Sequence, residues 1–187
     1  MEKENYKPYE SSLIEARDKQ LIDRIKKRTK EYYLQTENEA RRDALERLDQ
    51  KGFVGVAWEP KYMMGSGFEG YFPHVTMINT EHWTEEDAQD ARSLYGSGLK
   101  VEEGKSFSPW GFPQEADDIL KPFSEEERIN FFRKLINDDI AAFEFELESK
   151  RQKEKEFEGG SRMSNKIAWD ERELEAMKKY QKSLYND

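Results

Sequence analysis

Residues 65–70 read Gly65-Ser66-Gly67-Phe68-Glu69-Gly70, a letter-for-letter G-x-G-x-x-G. In a dinucleotide-binding unit this pattern follows a strand and opens a helix, so that backbone amides and the helix N-terminus meet a pyrophosphate. Here Tyr71-Phe72-Pro73 comes next, and the proline blocks a helix. A kinase-type phosphate loop would be followed by an apolar β residue and then by a strand lysine about a dozen residues on. The stretch after Gly70 supplies no such lysine. The glycines therefore read as a turn that lets aromatic neighbours pack.

His74 and His82 are the two histidines, eight positions apart, and Glu81 adjoins the second. Their spacing matches no metal motif such as H-E-x-x-H, and a closed site would need two further ligands from elsewhere. The absence of cysteine removes thiolate zinc sites, iron–sulfur clusters, cysteine nucleophiles and disulfides together. Asp117–Asp118 and Asp138–Asp139 are paired acids, but adjacent residues on a helix point about 100° apart. Two carboxylates that work on one glycosidic bond must face each other across a cleft, so adjacency is no sign of catalysis. No catalytic residue, metal site or cofactor is expected from these patterns. An enzyme or ligand-binding domain, the alternative reading, would have to use Gly65, Gly67, Gly70 and His74, with His74 as a general base beside the glycines.

The densest positive run is Arg24, Lys26, Lys27, Arg28 and Lys30, diluted by Asp23 and Glu31. It reads as a solvated or partner-facing helix surface. With a net charge of -9, and acidity gathered in residues 51–123, the chain argues against nucleic acid as the main partner. The stronger signal is aromatic. Trp58, Trp83, Phe107, Trp110, Phe112 and Trp169 lie in or beside stretches rich in proline and glycine, where large rings offer contact area with little side-chain entropy to lose. They are the candidate partner-binding residues. An internal core beneath the long helix is the competing use for each ring.

The elements that would position these groups are mostly helical. Ser124 and Glu127 make a capping box, after which Ile129, Phe132, Leu135 or Ile136, Ile140, Phe143 and Leu147 recur at steps of three and four. The spacing predicts one long amphipathic helix over 124–158 whose apolar face lapses beyond Leu147. Ser12 and Glu15 form a second box, opening an N-terminal helical segment over 11–51 that is either continuous or broken near Thr36 to Asn38, with Gly52 as its stop. Thr84 and Asp87 open a shorter helix that runs to Tyr95. A last helix follows the Gly159-Gly160 break, within 159–187, and spans about Ile167 to Leu184.

Between the helices, residues 52–98 form a small irregular α+β middle. Residues 53–58 and 75–78 suit two short strands, and the glycines and prolines of residues 62–73 speak against regular structure between them. Residues 99–123 carry Pro109, Pro113 and Pro122 and are expected to lie extended across a surface, apart from a possible turn over 115–120. Residues 1–10 read as a flexible or partner-bound arm.

The fold class expected is mainly α: two long amphipathic helices, two shorter ones, and a glycine-, proline- and aromatic-rich middle with room for a small antiparallel β pair. Charged residues make up 38% of the chain and aromatics 13%, so its apolar material is modest and ring-rich. No apolar run reaches the roughly 18 residues of a membrane span, and the first residues lack the apolar core of a secretory signal. An intracellular protein, cytoplasmic or organelle-associated and not secreted, is expected. The reading that follows is a non-catalytic structural or accessory subunit that clasps other protein subunits through long helices and aromatic loops. Self-association through the helices is a further option.

Overall fold

The computed structural model describes residues 8–35, 39–63, 67–95, 113–156 and 161–185. Within them lie α1 (Pro8–Leu34), α2 (Glu39–Gln50), strands β1 (Val54–Met63) and β2 (Gly67–Met77), α3 (Glu85–Tyr95), α4 (Pro113–Leu120), α5 (Glu125–Glu156) and α6 (Ser161–Ser183). A single 3-10 turn, Thr80–His82, joins β2 to α3. The strands pair as one antiparallel hairpin, so the fold is mainly α with a small β pair, as the sequence pattern implies.

The chain gathers into two compact units, each made of separated stretches. The α2–α3 unit comprises Lys19–Glu59 and Phe72–Pro122, and the α5–α6 unit comprises Met1–Asp18, Pro60–Tyr71 and Phe123–Asp187.

In the α2–α3 unit, Leu45 and Leu48 of α2, Phe53, Val54, Val75, Met77 and Ala91 form a buried cluster. Tyr33, Leu34, Trp83 and Leu94 pack against it. Between α1 and α2, residues 36–38 fall outside the described ones, and the two helices match the broken alternative of the sequence reading. The end of α2 explains how the chain turns into the hairpin. Phe53 N–H donates to the Leu48 carbonyl at 2.9 Å and Gly52 N–H to that of Asp49 at 2.9 Å, the paired bonds of a Schellman stop. Gly52 sits there at φ +77, and a Cβ added to it would meet nothing within 4 Å. Gly52→Ala is accordingly expected to cost only the left-handed conformational penalty, about 1–2 kcal/mol, measured as a lowered urea midpoint with no change in slope.

Helix α3 begins as Thr84 and Asp87 predict. The Thr84 amide donates to Asp87 Oδ2 at 2.9 Å, and the Asp87 amide to Thr84 Oγ1 at 3.3 Å. Asp87 is buried and also ion-paired with Lys51. The Lys51 ammonium, followed by the Thr84 amide, holds its carboxyl down at about 2. An unfolded aspartate titrates at about 3.9, so this contribution is complete above that pH and is lost as pH falls through about 2. Asp87→Asn is expected to flatten the dependence of the urea midpoint on pH between about 4 and 2, while lowering the midpoint at neutral pH.

The hairpin is longer than the sequence suggests. Its strands run through most of residues 62–73, where irregular structure is expected, and Pro60 and Pro73 lie inside them. In a two-stranded sheet each strand has a free edge, so a proline without an N–H breaks no ladder. Pro73 is fully buried, and its carbonyl accepts from the Tyr33 hydroxyl at 2.8 Å. Similarly, α4 starts at Pro113, two residues before the turn allowed over 115–120, because a missing N–H costs nothing in a first helical turn.

The α5–α6 unit is an antiparallel helix pair with the hairpin tip against it. Ser124 N–H donates to Glu127 Oε2 at 2.9 Å and Glu127 N–H to Ser124 Oγ at 3.2 Å, closing the capping box that starts α5. Phe131, Ile136, Ile140 and Leu147 of α5 are buried, as are Ile167 and Met177 of α6. Past Leu147 the contact with α6 continues as ion pairs: Lys150 to Asp170 at 2.8 Å and Arg151 to Glu171 at 2.6 Å. The hydrogen bond to Asp170 is the main cause that raises Lys150 above the usual lysine value. No helix among the described residues is long and apolar enough to cross a membrane.

Candidate partner-binding surface

Of the glycine motif, Gly65 lies outside the described residues, and Gly67 and Gly70 are part of β2. The strand continues to Met77, so no helix N-terminus follows the glycines to face a phosphate. Gly67 has a packing reason instead. At φ +87, a conformation that side chains rarely adopt, its missing Cβ would stand 3.1 Å from the Ala176 Cβ of α6, so a side chain there would be strained and the contact would have to give by a few tenths of an ångström.

His74 is buried in β2, with Nε2 3.4 Å from Glu59 Oε1 of β1. His82 is exposed in the 3-10 turn, 3.4 Å from Glu81. Among the described residues no group of three or more histidines or carboxylates could hold a metal ion. Asp138 pairs with Lys134 at 2.5 Å at the surface, whereas Asp139 accepts from the Tyr71 hydroxyl at 2.6 Å. Burial pushes the Asp139 carboxyl up, against the opposing effect of that hydrogen bond. The two acids point to different surroundings, as their angular separation requires, and Asp117 and Asp118 are both exposed. In the basic run of α1, Lys30 is ion-paired with Asp49 and Lys27 lies 3.9 Å from Glu31.

The aromatic candidates divide sharply. Trp58 is 8% exposed, and its indole N–H donates to Thr29 Oγ1 at 3.1 Å, so this ring belongs to the interior of the α2–α3 unit. Trp83 is half-buried, its ring centroid 6.0 Å from that of Phe53. Phe107, Trp110 and Phe112 lie outside the described residues. Trp169, on α6, is 52% exposed, with its N–H donating to Glu173 at 2.7 Å.

A ring that the sequence reading passes over stands out most. Phe145 is 82% exposed in the second half of α5. It lies two residues before buried Leu147, hence about 200° round the helix from the α6 contact. At helical neighbour positions stand Ala141, Ala142, Glu148 and Ser149, all exposed. Small side chains on three of these four positions leave the phenyl standing clear of its surroundings. The available signal was phase: a large ring out of step with Ile140, Phe143 and Leu147.

No known protein family, curated protein or solved structure matches the chain.

Proposed function

We propose that this protein is a non-catalytic structural or accessory subunit that works inside the cell and holds other protein subunits through the outer faces of its long helices. Phe145 carries this reading. A phenyl ring left in water about two-thirds of the way along a 32-residue helix forgoes roughly 1.5–3 kcal/mol that covering it would supply. Its small neighbours allow a partner's backbone or an apolar cup to approach closely, which is how anchor rings at interfaces are seated. Trp169 offers a second, more amphipathic contact, whose indole N–H already has an acceptor. Trp58, being interior, has no part in this surface.

The test is affinity purification of the full chain from the cells that make it, followed by binding measurements with the co-purified subunit. Phe145→Ala and Phe145→Asp should each weaken capture about tenfold or more, with unfolding midpoints unchanged. A native protein that fractionates as a free chain, or variants that hold the partner as tightly as the original, would sink the reading.

A further inference from the structure

The register of the hairpin is set at its base. Ile78 N–H donates to the Phe53 carbonyl at 2.9 Å, and a Cβ added to Gly55 would lie 3.1 Å from Thr76 Cγ2, so Phe53 stands opposite Ile78 and Gly55 opposite Thr76. In an antiparallel pair, residues that exchange hydrogen bonds alternate with residues whose N–H and C=O point away. Phe53, Gly55 and Ala57 therefore turn their backbone groups toward β2, whereas Val54 and Val56 turn theirs to the outer edge of β1. Among the described residues, no backbone bond from outside the hairpin reaches Val54 or Val56. Gly55, Val56 and Ala57 are partly exposed, and at a glycine that exposure is of backbone.

An open strand edge is a template for pairing, and proteins ordinarily blunt it with charge, proline or a cover. Residues 53–58, FVGVAW, hold no charge and no proline, and Pro60 then ends the series of outward donors. The two valines present N–H and C=O groups at a two-residue spacing, which an extended backbone satisfies and a helix or a single side chain does not. A second observation falls at the same place. Ile78 is 41% exposed, and its Cγ2 stands 3.0 Å from where a Gly55 Cβ would be, so it leans across bare backbone. A strand added beside β1 puts one side chain opposite Gly55 on this face, in the closer, non-hydrogen-bonded kind of pair. With no side chain at Gly55 in the way, that group reaches Ile78. We propose that this edge of β1 docks an extended, uncharged segment of another protein as an antiparallel strand, with a large apolar side chain over Gly55 and against Ile78. The site lies on a different element from Phe145 and uses backbone hydrogen bonds, so it goes beyond the helix-face reading.

Residue-resolved amide exchange on the full chain, alone and with a blocked peptide Lys-Thr-Val-Phe-Val-Thr-Lys, tests it. In the free chain the Val54 and Val56 amides should exchange about tenfold or more faster than those of Gly55 and Ala57, which the ladder holds. At roughly millimolar peptide the two valine amides should slow about fivefold or more, while Gly55 and Ala57 change little. N-methylation of both peptide valines, whose amides pair with β1, should abolish binding; N-methylation of the peptide phenylalanine, whose N–H points away, should spare it. Val56→Pro removes an outward N–H and no ladder bond, and Ile78→Asp changes an exposed side chain. Each should weaken binding about tenfold or more, with exchange elsewhere unaltered. Valine amides as slow in the free chain as those of Gly55 and Ala57 would show a closed edge and overturn the proposal. A peptide that does not bind, that binds equally with methylated valines, or that binds Ile78→Asp as well as the original would also overturn it. Protection that rises with chain concentration instead of peptide would assign the edge to a second copy and overturn the choice of partner. Phe145→Asp should leave peptide binding unchanged, and Ile78→Asp should leave capture through Phe145 unchanged, so the two readings fail separately.

Discussion

Phe131→Ala is expected to destabilise the α5–α6 unit by about 3–5 kcal/mol, the largest single effect on this fold. Phe131 is 1% exposed. Its ring centroid lies 5.5 Å from that of Phe132, which in turn stacks on Tyr71 at 6.2 Å. Tyr71 is tied to Asp139 by its hydroxyl. Removing the Phe131 ring forfeits its transfer free energy and leaves a cavity beside the stack that seats the hairpin tip on α5, so the loss is felt beyond one residue. Phe145→Ala, the same substitution on the same helix, should change stability by no more than about 0.5 kcal/mol, because a ring that water already surrounds leaves no cavity. Urea unfolding with hydrogen exchange at the α5 and α6 amides reads both. A cost below about 1 kcal/mol for Phe131→Ala would show that its place in the core is wrong.

The contrast between these two phenylalanines also shows what the sequence could disclose. Two caps were legible, because a capping box is a local agreement between two residues three apart: Ser124 with Glu127 and Thr84 with Asp87 both close as their spacing implies, whereas α1 begins at Pro8, so Ser12 and Glu15 lie inside that helix and do not open it. The single apolar stripe along α5 was legible too, through Ile140 and Leu147. Phe131 was not, since a template with one buried face cannot find residues on a helix enclosed from more than one side. Nor could the stripe announce that α5 stays in contact with α6 after Leu147. There Lys150 and Arg151 meet Asp170 and Glu171, charges on charges, and apolar periodicity is blind to them.

Proline and glycine misled in a consistent way. They read as breakers across residues 62–73 and at Pro113, although a free strand edge tolerates Pro73, as it does Pro60, and a first helical turn tolerates Pro113. The compact units were out of reach for a different reason. A reading along the chain proposes consecutive segments, whereas stretches of α1 and of both strands are assigned to each unit. The candidate surface suffered similarly. Composition marks Trp58 and Trp169 alike, and only the tertiary neighbours of each ring decide that one is interior and the other faces water.

Thr29→Val is expected to cost the α2–α3 unit about 1–3 kcal/mol, although the two side chains have nearly the same shape. Thr29 is fully buried in α1, its hydroxyl donating to the Ile25 carbonyl at 2.7 Å and accepting from the Trp58 indole at 3.1 Å. Valine fills the space but offers no acceptor, so the Trp58 N–H is left buried and unpaired, and an orphaned donor costs its full desolvation. Thr29→Ser keeps the oxygen and removes one methyl, a loss of about 1 kcal/mol, so serine should be the milder change if the hydrogen bond is what holds the indole. Valine proving the milder would mean that packing alone seats Trp58. Urea midpoints of the two variants decide the order. Because Trp58 is held inside while Phe145 stands in water, Thr29→Val should weaken the fold and leave partner capture per folded molecule unchanged. Phe145→Asp should do the reverse, and that opposition separates the rings that build this protein from the ring through which it meets another.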